Sequence, residues 1–136
     1  MVKVIMGQKG SGKTKQLIDY VNQAISSEDG NVVCVERGTK LTYDINHRAR
    51  LIDISDFPVS NYDMLKGFIC GMYAGNYDIT KVFLDSLYKI ANSDDICAAT
   101  EFIVWLNDIA TTNNIKFYVT ISDDVKKAND TLKKFF

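Results

Sequence analysis

The chain has 136 residues, 46% of them hydrophobic, and a formal net charge of −1. That length suits one domain with a real core and no need of disulfide or metal staples. The near-neutral charge gives no electrostatic case for a nucleic-acid or anionic-membrane partner. Cys34, Cys70 and Cys97 are odd in number and form no CxxC pair, which points to reduced thiols in a cytoplasmic setting and away from zinc.

In chain order, Val2 to Met6 reads as a buried, β-branched strand. The first residues therefore lead from a strand into a charged turn and do not read as a secretory leader. A helix is expected from about Gly12 to Ser26, with Leu17, Ile18, Val21, Ala24 and Ile25 at helical spacing. The stretch SSEDGN should end it, with Gly30 in the turn. Asn31 to Glu36 is a second strand, broken by RGTK. The segment LTYDINHRARLIDI alternates apolar and polar residues on either side of Asn46-His47-Arg48 and predicts a short β-hairpin, or one added strand near Arg50 to Ile54.

Tyr62 to Ala74 carries Leu65, Phe68, Ile69 and Met72 on one helical face, with Ser60 and Asp63 spaced as a capping box. Lys81 to Asp85 is a third main strand, and SDDICAATEFIVWLNDIATTNN a long helix capped by Ser93 or Asp94. Glu101 and Asn107 interrupt its apolar run, so nothing reaches membrane-spanning length. Lys116 to Ser122 is another strand, followed by a helix from about Asp123 with Ser122 placed to cap it. Strands alternating with helices of this length imply βαβ units. The expected architecture is α/β: a three-layer α/β/α sandwich with a mostly parallel sheet of about five strands, in one domain over residues 1–136.

In such sheets ligands bind beyond the carboxyl ends of the strands. GQKGSGKT occupies such an end: Gly7, four residues, then Gly12, Lys13 and Thr14 fit G-x4-GK[ST]. Glycines let backbone N–H groups converge on phosphate oxygens, and the following helix aims its positive end at the same anion. Gly7, Gln8, Lys9, Gly10, Ser11, Gly12, Lys13, Thr14 and Lys15 are thus the expected cradle for ATP or GTP. Lys13, expected to face solvent, would reach the β- and γ-phosphates, and the Thr14 hydroxyl would ligate Mg²⁺, a hard cation that prefers oxygen. Lys9 and Lys15 should be exposed and raise the local positive potential.

On these residues the chain resembles the P-loop NTPase superfamily, its RecA-like branch in particular. The resemblance implies that fold, and it implies that Asp85, closing VFLD at the Walker B position, holds Mg²⁺ through water and acts with Lys13 in catalysis. Many members of that branch carry Glu directly after this Asp to polarise water. Ser86 stands here, so slow hydrolysis is expected. The branch also places a polar sensor residue beside the γ-phosphate, which suggests Thr120 or Ser122 if their strand neighbours the first; helix capping is favoured for Ser122.

Arg37, at the end of the second strand, reads as a contact to phosphate or, more simply, as a solvated strand end. His47, the only histidine, reads as a surface turn residue, and Met64 and Met72 as core. The expected function is a Mg²⁺-dependent nucleoside-triphosphate-binding protein, a weak NTPase or nucleotide-gated module. The alternative is a kinase for a nucleoside or another small molecule, since CVERGTKLTYDINHRAR is weakly similar in layout to RecA-like thymidine kinases. Those enzymes also have a DE pair and zinc cysteines, which this chain lacks, and Arg37, Arg48 and Arg50 are too few for an arginine-rich lid. Apolar residues Ile96, Phe102, Ile103, Val104, Trp105, Leu106 and Ile109 spread over more than one helical face. Two readings stay open for the excess, together with Leu132, Phe135 and Phe136: a protein partner or second copy, or full enclosure within the domain.

Overall fold

The computed structural model describes residues 1–27 and 30–136. Five strands, β1 (Val2–Gly7), β2 (Asn31–Glu36), β3 (Arg50–Asp53), β4 (Ile79–Leu84) and β5 (Lys116–Ser122), form one sheet in the order β1-β5-β4-β2-β3. Every neighbouring pair is parallel. The helices are α1 (Lys13–Ser27), α2 (Tyr62–Gly75), α3 (Leu87–Ala91), α4 (Ile96–Asn113) and α5 (Asp130–Lys133). This is an α/β chain whose sheet has the expected five strands and is wholly parallel where a mostly parallel one was expected, with helices against both faces. Among the described residues, no helix is long and apolar enough to cross a membrane.

The strands alternate their side chains between two cores, as period-2 geometry requires. Val33, Val35, Val82, Leu84, Phe117 and Val119 join Leu65 and Ile69 of α2 and Phe102, Ile103 and Leu106 of α4 in the larger cluster. Val32, Cys34 and Phe83 face the other way and meet Leu17, Val21, Ala24 and Ile25 of α1, with Tyr118 of β5 packed against them. Phe83 stacks on Tyr118 with ring centroids 4.8 Å apart, and Tyr20 of α1 lies 4.9 Å from Tyr118. The carboxyl ends of β2, β4 and β5 therefore rise from a rigid aromatic and aliphatic floor.

Several local expectations are corrected. No hairpin forms between residues 38 and 54: β3 runs parallel to β2, so the single added strand is the right alternative. Its upstream segment is a series of turns in which Leu41, Ile45 and Ala49 are buried against α1. Those residues are spaced by four, a helix-like period that the polar residues between them disguise as alternation; the Ile45 N–H donates to the Leu41 carbonyl at 3.1 Å. Asn61, not Ser60, caps α2 by accepting the Met64 N–H, and Asp95, not Ser93 or Asp94, caps α4. After β5 the chain makes a 3₁₀ turn (Val125–Lys127) capped by Asp124, and Asn129 caps α5; Ser122 is the last residue of β5 and caps nothing. The five-residue α3 has no counterpart in the sequence reading. The expected turn at SSEDGN includes Glu28 and Asp29, which lie outside the described residues.

Met72 packs against the core, but Met64 is exposed, because α2 turns only its Leu65/Ile69 side inward. On α4, Ala99, Phe102, Ile103, Leu106 and Ala110 are buried, whereas Val104 is exposed. Trp105 is half-buried, with the Lys66 ammonium 5.5 Å from its ring centroid. Leu132 is enclosed within the chain. The Phe135 carbonyl accepts the Val4 N–H at 2.7 Å, so the C-terminal segment covers part of the free edge of β1.

Phe83→Ala removes the ring that joins α1 to β4 and β5. It should lower unfolding free energy by about 3–5 kcal/mol in denaturant titrations; a loss below about 1 kcal/mol would mean that this floor is not a stability determinant.

Candidate functional site

The glycine-rich segment joins β1 to α1 and lies at the carboxyl edge of the sheet. Gly10 and Gly12 have φ of +85° and +88°, the left-handed region that side-chain-bearing residues avoid, which explains glycine at both positions. The Gln8 carbonyl closes the turn by accepting the Ser11 N–H at 3.1 Å. It also accepts the Lys13 ammonium at 2.9 Å. Helix α1 starts directly after Gly12, which has no side chain with which to cap it. No acidic residue occupies its first turn; Lys13 and Lys15 do. Helix N-termini carry unpartnered N–H groups and positive potential, so lysines there oppose the usual preference and favour an anionic ligand.

Lys13 is 7% exposed, whereas the sequence predicts a solvent-facing side chain. The difference follows from α1 packing its first turn down on the sheet edge. Burial lowers the Lys13 pKa below the usual lysine range, while the negative charge of Asp85 pulls it back up.

Asp85 follows β4, and its N–H donates to the Val35 carbonyl at 2.9 Å, extending the β2/β4 ladder. Its carboxylate accepts the Thr120 hydroxyl at 2.7 Å, and the same hydroxyl accepts the Ser86 N–H at 2.7 Å. Thr120 thus fixes both the carboxylate and the turn after it. That turn holds Ser86 at φ +64°, an unusual conformation for serine. Strand β5 does neighbour β1, pairing Thr120 with Ile5 and Ser122 with Gly7. Thr120 is fully buried behind Asp85; Ser122 lines the cleft.

Sequence reasoning passed over Glu36. It ends β2 on the α1-facing side, two residues after Cys34, as Asp85 stands two after Phe83 and Thr120 two after Tyr118. The parity of these strands was the available signal. Glu36 is almost wholly buried and lines the same cleft as Asp85. Its Oε2 accepts the Leu41 N–H at 2.9 Å, which ties down the loop after β2. Burial raises its pKa above the usual glutamate range; the Leu41 N–H opposes that shift, and the charge of Asp85 adds to it.

Lys9, Gly10, Gly12, Lys13, Thr14 and Lys15 form the loop side of a cleft of about 450 Å³, with Glu36 and Asp85 across it. Gly7 is buried at the end of β1, and Ser11 is exposed outside the cleft lining; Gln8 acts through its carbonyl. Lys9 and Lys15 are exposed, as is His47 in its turn. Arg37 lines the cleft and is not a free, solvated strand end. Its guanidinium donates to the carbonyls of Lys89 at 2.7 Å, Ile90 at 3.1 Å and Val59 at 2.7 Å, pinning the end of α3 to the loop before α2.

No protein-family model matches this chain, and no curated protein matches it.

Thr120→Val keeps the shape but strands the Asp85 carboxylate oxygen and the Ser86 N–H. A loss of about 1–3 kcal/mol is expected in denaturant unfolding, with Thr120→Ser recovering most of it. Equal stability of the valine and serine variants would show that the hydroxyl bridge carries no weight.

Proposed function

We propose that this chain is a Mg²⁺-dependent nucleoside-triphosphate-binding protein of the P-loop NTPase type, with slow hydrolysis assisted by Glu36. The observation that carries the reading is the convergence, on one cleft at the carboxyl edge of a parallel sheet, of two left-handed glycines, an uncapped helix start, Lys13, Thr14 and Asp85. Phosphate oxygens would accept from the loop N–H groups, and the Lys13 ammonium would exchange the Gln8 carbonyl for a phosphate oxygen.

The donor set suits a hard cation: the Thr14 hydroxyl and the Asp85 carboxylate would hold Mg²⁺, which neutralises charge on the β- and γ-phosphate oxygens when bound. Among the described residues, no cluster of three or more His, Cys, Asp or Glu side chains makes a cage for a metal alone. Two oxygen ligands plus phosphates match how Mg²⁺ is commonly bound.

Glu36 takes the part that Ser86 cannot. A carboxylate with a raised pKa is a better base near neutrality than an ordinary one. In hydrolysis the water oxygen bonds to the γ-phosphorus while the bond to the β–γ bridging oxygen breaks. The water proton passes to Glu36 and then to solvent. Because Glu36 also holds the Leu41 N–H, its carboxylate is restrained, which favours orientation of water over rapid proton shuttling.

Mg-ATP or Mg-GTP at about a hundred times its dissociation constant should stabilise the fold by roughly 2.7 kcal/mol, read as a thermal shift. Lys13→Ala should abolish the shift. No shift with any nucleoside triphosphate at millimolar concentration would overturn the reading. Glu36→Gln should keep the shift and lower steady-state phosphate release by about a hundredfold; unchanged release would remove Glu36 from the mechanism.

A further inference from the structure

The groups that line the cleft differ in what they have left to offer a ligand. Glu36 is engaged with Leu41, Arg37 with three carbonyls, Lys13 with Gln8 and Asp85 with Thr120. Each of these faces the cleft already committed in geometry. The side chains of Lys9, Lys15, Lys40 and Lys89 line the same cleft, and among the described residues their ammonium groups make no hydrogen bond or ion pair. They come from three places: the glycine-rich loop and first turn of α1, the loop after β2, and α3. Among the described residues, the hydroxyls of Thr14, Ser86 and Ser122 in the lining also make no hydrogen bond. Among the described residues, the lining includes no aromatic or aliphatic side chain.

These two facts bear on selectivity. A nucleobase is recognised by stacking on an apolar or aromatic face and by fixed donors and acceptors along its edge. A lysine ammonium is a mobile point charge that rewards negative charge wherever it lies. The lining holds six basic side chains (Lys9, Lys13, Lys15, Arg37, Lys40, Lys89) against two acidic ones, in a chain whose net charge is −1. The cleft lining therefore carries an excess of positive charge in a chain that is slightly negative as a whole, and that excess would be spread along a polyanion.

We propose that the cleft selects its ligand by the length and charge of a phosphate chain and is indifferent to the base, so that its ligand class is Mg-polyphosphate: any nucleoside triphosphate, and inorganic tripolyphosphate. The inference rests on the phosphate-binding reading of the loop and specifies what that site reads.

Competition titrations on the full chain at fixed Mg²⁺ test it, with ATP, GTP, CTP, UTP, tripolyphosphate and adenosine as probes. The four nucleotides should bind within about threefold of one another, tripolyphosphate within about tenfold of them, and adenosine should not compete. Lys40→Gln and Lys89→Gln should weaken ATP and tripolyphosphate by the same factor, because both contacts act on charge. One nucleotide preferred by tenfold or more, or competition by adenosine, would overturn base indifference while leaving phosphate binding intact. Failure of every probe, tripolyphosphate included, would instead overturn the phosphate reading of the loop and this inference with it.

Discussion

Lys13 carries an ammonium group into a position that water reaches poorly, and the candidate site is organised around satisfying it. The cost of a buried charge must be met by specific partners. Part of the answer is local: the Gln8 carbonyl accepts the ammonium and, in the same turn, the Ser11 N–H. That double acceptance holds the loop closed and forces the backbone through Gly10 and Gly12 in left-handed conformations. The rest is long-range, since the negative charge of Asp85, directly after β4, opposes the downward shift that burial imposes on the Lys13 pKa. Asp85 in turn is held by Thr120 of β5, which also receives the Ser86 N–H. Loop, helix start and two strand ends thus form one electrostatic unit assembled from residues far apart in sequence.

The sheet makes that unit possible through simple parity. On its α1-facing side, Cys34, Phe83 and Tyr118 build an apolar floor, and two residues further along each strand stand Glu36, Asp85 and Thr120. Burial of the floor fixes register, because a shift of one residue would turn every polar group into the opposite core. The same burial drives the Cys34 thiol pKa far up, so this cysteine is inert packing beneath the site. Stability and chemistry are therefore divided along each strand: the middle holds the domain together, and the carboxyl end presents the polar groups.

Much of this was legible in the sequence. The apolar runs VKVIM, NVVCVE, KVFLD and KFYVTIS gave four strands close to their observed limits, and glycine with lysine after the first marked the loop. The rest was hidden for identifiable reasons. Glu36 resembles any polar residue at a strand end, and its significance depends on the strand order that sets β2 beside β4. Leu41, Ile45 and Ala49 follow a spacing of four that is interrupted by polar and charged residues, so the segment reads as alternating and leaves a hairpin open beside the single added strand that forms. The helix caps were displaced by one residue because Ser, Asn and Asp adjoin one another before α2 and α4, and only backbone geometry chooses among them. Lys13 was misjudged as exposed because burial of a lysine is decided by tertiary contacts that its own segment does not encode.

The central claim is that the backbone around Gly10 to Thr14 is a cradle for phosphate. Amide hydrogen exchange on the intact chain, with and without saturating Mg-ATP, tests it most directly, because it reads the N–H groups themselves. The account predicts slowed exchange across residues 9–15 and at the Ser86 amide, with residues at the amino ends of β2 and β4 unchanged. Unaltered exchange across residues 9–15, or protection confined to the opposite end of the sheet, would contradict it.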